Sequence, residues 1–142
     1  MRIISHRGNL NGPTSRENEP KYICEALDKG FEVEVDLWMS NGKFFFGHDF
    51  LQYEVGLPFL LQQGLWIHCK NLAALEYLSH HRGVISFGHK QDDFILTSKG
   101  HILLPPQMGY HKNCITMMPE LNKAAKMVDD CAGVITDFAA TY

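Results

Sequence analysis

The chain has 142 residues, 45% of them hydrophobic and 20% charged, with 13 lysines and arginines against 16 acidic residues. Its net charge of −3 leaves no basic footprint for bulk nucleic-acid binding, and no apolar run approaches the ~20 residues needed to span a bilayer. One globular domain over residues 1–142 is expected, large enough to bury about two-thirds of the surface its unfolded chain exposes.

In chain order, residues 2–5 read as a short apolar strand ending in His6-Arg7-Gly8. A polar loop with Gly12-Pro13-Thr14-Ser15 as its turn follows. Residues 19–29 form a helical pattern, with Pro20 in the first turn, Gly30 as the stop, and Ile23, Ala26 and Leu27 as the buried stripe. Residues 31–38 are the clearest strand, and Asn41-Gly42 turns the chain back through 43–46 to His48. A strand over 65–70, a helix over 71–81 and a strand over 84–87 come next. Strand-like stretches at 94–97 and 101–104 precede a strand at 114–118, a helix at 119–130 and a last strand at 133–136.

Strands alternating with helices imply parallel β/α units. A full (β/α)8 barrel typically needs ~250 residues. The expectation is therefore a reduced TIM-type β/α barrel with several outer helices missing and active residues at the strand C-termini. Strand surface left bare by the missing helices is what a homodimer would cover.

The four cysteines (Cys24, Cys69, Cys114, Cys131) lack CxxC spacing, which argues against structural zinc. Reduced thiols, and a first motif too close to Met1 for a cleaved signal peptide, point to the cytoplasm.

The chemistry concentrates in a few segments. Strand alternation puts Glu34 and Asp36 on one face, with Val33, Val35 and Leu37 on the other. Paired carboxylates suit a hard divalent cation, and the imidazoles of His6 and His48 suit proton transfer beside it. On the 65–70 strand, His68 and Lys70 share a face and would converge on that pair. Mg²⁺ or Ca²⁺ matches the oxygen donors, while an imidazole from His68 shifts preference towards Mn²⁺ or Zn²⁺. His89 lies in a polar stretch with Asp92 and Asp93 that would line the site and offers a further phosphate contact.

Ile4-Ser5-His6-Arg7-Gly8, Arg16-Glu17-Asn18, Val33-Glu34-Val35-Asp36 and Gly47-His48-Asp49 follow one another in an order and at intervals similar to those of a known family. The chain resembles the glycerophosphodiester phosphodiesterases of the PLC-like phosphodiesterase superfamily, as a short divergent member. The Lys70 strand and the terminal Gly133-Val134-Ile135-Thr136-Asp137 extend the resemblance. It implies a metal-dependent phosphodiester hydrolase with His6 and His48 as general acid and base. Arg7 and Lys70 would bind the phosphate, Glu34 and Asp36 would ligate the metal, and Glu17 would steady the site from behind. His68 departs from the family, whose members usually carry a carboxylate there, and Asn18 offers a compensating oxygen.

The expected substrate is a glycerol- or sugar-linked phosphodiester, small or polysaccharide-linked. Two rivals follow from the same residues: an intramolecular lyase releasing a cyclic phosphate, and a non-catalytic phosphate-binding module.

Overall fold

The computed structural model describes residues 1–142. Ten strands form one curled sheet: β1 (Arg2–His6), β2 (Glu32–Ser40), β3 (Lys43–Phe46), β4 (Tyr53–Val55), β5 (Leu65–Cys69), β6 (Ile85–Phe87), β7 (Ile95–Leu96), β8 (Ile102–Leu104), β9 (Ile115–Met117) and β10 (Gly133–Thr136). Three α-helices accompany them: α1 (Pro20–Asp28), α2 (Leu57–Leu60) and α3 (Leu72–Ser79). No helix is long and apolar enough to cross a membrane, and all four cysteines are free thiols.

Along the sheet, β6, β5, β2, β1, β10, β9 and β8 run parallel in that order. The β3–β4 hairpin pairs antiparallel with the second half of β2, and β7 pairs antiparallel with β8. This mixed sheet corrects the expected reduced TIM-type barrel. No ladder joins β6 to β7 at the ends of the curl; a hydrogen bond from Ser98 N to Ser86 O, 2.8 Å long, is the backbone link there. The result is a half-barrel.

Local sequence explains the missing helices. Pro105, Pro106 and Gly109 stand between β8 and β9, where proline lacks a donor and glycine adopts φ +68°. The helix expected over 119–130 shrinks to a single 3₁₀ turn, Pro119–Leu121. Met118 enters it at φ +48°, and the Asn122 amide turns aside to donate to Pro106 O. Downstream, Met127 and Val128 are exposed, so this stretch has no buried stripe to hold a helix. Neither β4 nor α2 was expected; each is three or four residues long, too short for periodicity to register.

Alternation on the strands sorts two cores. Val33, Val35 and Leu37 of β2 and Ile67 of β5 face α1 and α3 on the convex side, against Ile23, Ala26, Ala74 and Leu78. The concave side is filled by Ile4, Trp66, Phe87, Ile95, Leu103, Ile115 and Ile135. Four of those residues are followed, two positions later, by His6, His68, His89 and Asp137. A two-residue step returns to the same face of a strand, so the apolar floor becomes a polar site at the strand C-termini.

Candidate metal centre and phosphoryl site

β1, β2 and β5 are adjacent and in register, with His6 opposite Glu34 and Asp36 opposite His68. Glu34 and Asp36 are almost fully buried on the concave face. One ligand atom from each of Glu34, Asp36 and His68 falls within 4.8 Å of the others. His68 Nδ1 lies 3.2 Å from Asp36 Oδ1 and 3.9 Å from Glu34 Oε1. Donors sharing one cation at about 2.1 Å stand about 3 Å apart, so a small closure would bring the three onto an ion.

Two further observations fit a cation. Glu34 Oε2 and Asp36 Oδ1 are buried without a hydrogen-bond partner, with His68 Nδ1 3.2 Å from the latter. Buried carboxylate oxygens without partners cost several kcal/mol unless a charge compensates them. The pair is also split electrostatically. Burial, followed by the neighbouring Asp36 charge, pushes the Glu34 carboxyl above its ordinary range. Burial pushes Asp36 the same way, but His68, Arg7 and the Asn18 amide outweigh it and hold Asp36 far below the usual carboxylate range. Two carboxylates and one imidazole form a donor set that suits Mg²⁺, Ca²⁺, Mn²⁺ or Zn²⁺.

The histidines of the two opening motifs each pair with an aspartate through Nδ1. His6 Nδ1 meets Asp137 Oδ1 at 2.7 Å, leaving its Nε2 3.8 Å from Glu34 Oε2. Burial lowers the His6 pKa, yet the Asp137 bond and the Glu34 charge overcome it and the net shift is upward. His48 Nδ1 meets Asp49 Oδ1 at 2.8 Å and is more exposed, on the loop leaving β3. That loop is anchored by Gly47 N on Asp36 O and Gln52 N on Phe46 O.

Arg7 leaves β1 at φ +56°, a left-handed turn that brings its guanidinium back over the sheet. Its Nε is 2.8 Å from Asp36 Oδ2 and its Nη1 donates to Glu17 Oε2 at 3.0 Å. Asn18, also left-handed, clamps Asp36 from both ends: its Nδ2 donates to Oδ2, and its Oδ1 accepts from the Asp36 N–H. Asn18 thus bonds the Asp36 carboxylate, and its oxygen is spent on the backbone instead of facing a cation. Lys70 Nζ is 3.7 Å from Asp36 Oδ1. His89 stacks on His68 with ring centroids 4.6 Å apart, and burial, then His68, lowers its pKa.

A cavity of about 460 Å³ gathers these groups. His6, Arg7, Glu34 and Asp36 line it from β1 and β2; His48, His68, Lys70 and His89 line it from the neighbouring strand ends and loops. Glu17 and Asn18 sit behind Arg7 and Asp36. Three residues outside the expected site complete its frame. Asn9 donates to both Glu17 and Asp137, and Glu120 accepts from Asp137 N and Thr136 Oγ1. The Thr136-Asp137 end of the last strand was the available sequence signal for Asp137; Asn9 and Glu120 carry none.

No protein-family model matches the chain, and neither a curated protein nor a solved structure matches it.

Proposed function

We propose that the chain is a divalent-metal-dependent phosphodiester hydrolase acting on a glycerol- or sugar-linked phosphodiester. One observation carries this reading: two buried carboxylate oxygens without a hydrogen bond share one cavity with His6, His48, an arginine and a lysine. The order of the His-Arg-Gly, Glu-Val-Asp and Gly-His-Asp motifs supports it.

Glu34, Asp36 and His68 would hold the cation. When bound, it supplies positive charge against the phosphoryl oxygens and takes up the charge of the buried pair. Arg7 and Lys70 orient the phosphate and stabilise the negative charge that builds on its oxygens during attack. Glu17 holds Arg7 in place, and Asn18 fixes the Asp36 carboxylate. His6 and His48 divide the proton transfers: one accepts the proton of the attacking oxygen and the other donates to the leaving alcohol. Asp137 orients the His6 ring through Nδ1, which leaves its Nε2 for that exchange, and Asp49 lies beside His48 Nδ1 at 2.8 Å. His89, stacked on His68, offers a neutral ring nitrogen to a phosphate oxygen.

The net charge of −3 favours a small or polysaccharide-linked diester over a nucleic acid. Free thiols support a reducing, cytoplasmic setting. Phe94, Leu96 and Ile102, exposed at the β7–β8 hairpin, support a homodimer.

The test is turnover of bis(p-nitrophenyl) phosphate and glycerophosphoglycerol with Mg²⁺, Ca²⁺ or Mn²⁺. Turnover is expected to vanish in EDTA and in His6→Ala and His48→Ala, while both variants stay folded. Absence of turnover on either diester with all three metals would sink the hydrolase reading.

A further inference from the structure

A second, smaller cavity of about 230 Å³ opens beside the phosphoryl site and shares Arg7 and His48 with it. Its remaining walls come from two loops: Thr14, Ser15, Glu17 and Asn18 on one side, Asp49, Phe50 and Gln52 on the other. We propose that this cavity is the subsite for a sugar ring, the arm of the diester held next to His48. The proposal rests on the phosphodiesterase reading for its phosphate, and it goes further by assigning one arm and its chemical class.

The lining selects that class. Thr14, Ser15 and Gln52 present exposed hydroxyls and an amide, groups that bond sugar hydroxyls in either direction. Phe50 is the one apolar side chain there and is 62% exposed, which leaves its ring face open to a ligand. The C–H face of a pyranose would cover that ring while the sugar's edge hydroxyls reach the polar wall. A single ring gives no channel for an acyl chain. Glu17 already pairs with Arg7 there and Asp49 adds a further carboxylate, so a second anionic group is disfavoured, whereas Lys70, His89 and Lys90 line a separate cavity.

Each wall carries contacts that tie it to the fold. Arg16 ties the first loop to Glu19, the residue before α1, at 3.0 Å and to Glu25 of α1 at 2.9 Å. The second loop turns so tightly that a Cβ on Gly47 would collide with Phe50 O. A preformed wall avoids the ordering cost that a loose loop would impose on binding.

The probe is α-D-glucose 1-phosphate, set against inorganic phosphate and glycerol 3-phosphate, each titrated with Mg²⁺ into ¹⁵N-labelled protein. Glucose 1-phosphate should shift the amides of Ser15, Asp49, Phe50 and Gln52, where inorganic phosphate leaves them unmoved. It should bind about tenfold more tightly than either comparator, and Phe50→Ala should bring that ratio close to one. Equal affinity for all three probes, no binding of glucose 1-phosphate, or shifts confined to Leu72 and His89–Asp92 would each overturn the proposal. Failure of diester turnover would remove the hydrolase reading and leave this binding pattern to be judged by itself.

Discussion

Asp137 Oδ1 meets His6 Nδ1 at 2.7 Å across 131 residues of chain, joining the first strand of the sheet to the end of the last. β1 and β10 are neighbours in the curled sheet, so the contact follows from topology alone. It fixes which nitrogen of His6 faces the cavity. Asp137→Asn would replace the charged acceptor at His6 Nδ1 with a weaker neutral one and remove the charge that favours a protonated ring. We expect kcat on a phosphodiester to fall about 100-fold with a smaller change in KM. A loss confined to KM would assign Asp137 to binding.

Glu34→Gln separates the cost of the buried pair from its use. In metal-free protein the substitution removes one of two like charges sharing a buried face, so the melting temperature should rise by a few degrees. The wild type should gain stability on adding Mg²⁺ or Mn²⁺, and the variant should lose most of that gain. Thermal unfolding of both proteins with EDTA and with each metal reads the two effects together. A variant that melts lower without metal would show that the second carboxylate stabilises the empty site.

The His6–Asp137 pair also sets a pH window in EDTA-treated protein. Burial raises the Asp137 carboxyl, but bonds from His6 and Asn9 outweigh it and the net shift is downward. Its contribution is complete above the unfolded value of about 3.9 and is lost as pH falls through the lower folded value. His6 is shifted upward, so its contribution is complete below about 6.5 and is lost as pH rises through the higher folded value. Urea unfolding should therefore show greatest stability between about pH 4 and 6.5, and Asp137→Asn should flatten both limbs. Unchanged limbs in the variant would assign the pH dependence to other groups.

Gly47 is held at φ +155°, with Phe50 O in the space a Cβ would fill. Gly47→Ala must therefore push the His48–Phe50 loop outward. A destabilisation of about 1–3 kcal/mol is expected, together with loss of turnover because His48 moves with the loop. Wild-type activity in this variant would mean that His48 takes no part in the reaction.

Much of the site was legible because β-strands repeat every two residues. Once β2 was read as a strand, Glu34 and Asp36 had to share a face, and the same rule aligned His68 with Lys70. The loop residues Arg7, Asn18 and His48 followed from motif order, since nothing in local periodicity places them. Asn9 and Glu120 stayed hidden because their roles are hydrogen bonds across the fold, to Asp137 and Thr136. The architecture was misread for a related reason. Alternating apolar stretches gave the strands, but neither the antiparallel direction of β7 nor the collapse of 119–130 into one 3₁₀ turn is written in them. Direction depends on what the Ser98-Lys99-Gly100 turn does, and Gly100 at φ +81° folds it into a hairpin.

Anomalous scattering from a crystal grown with Mn²⁺ and inorganic phosphate bears on the centre of the account. The expected map has one strong peak at about 2.1–2.4 Å from Glu34, Asp36 and His68, with phosphate between that peak and Arg7 and Lys70. Manganese bound elsewhere, with Glu34 and Asp36 still facing each other and no phosphate in the cavity, would contradict it.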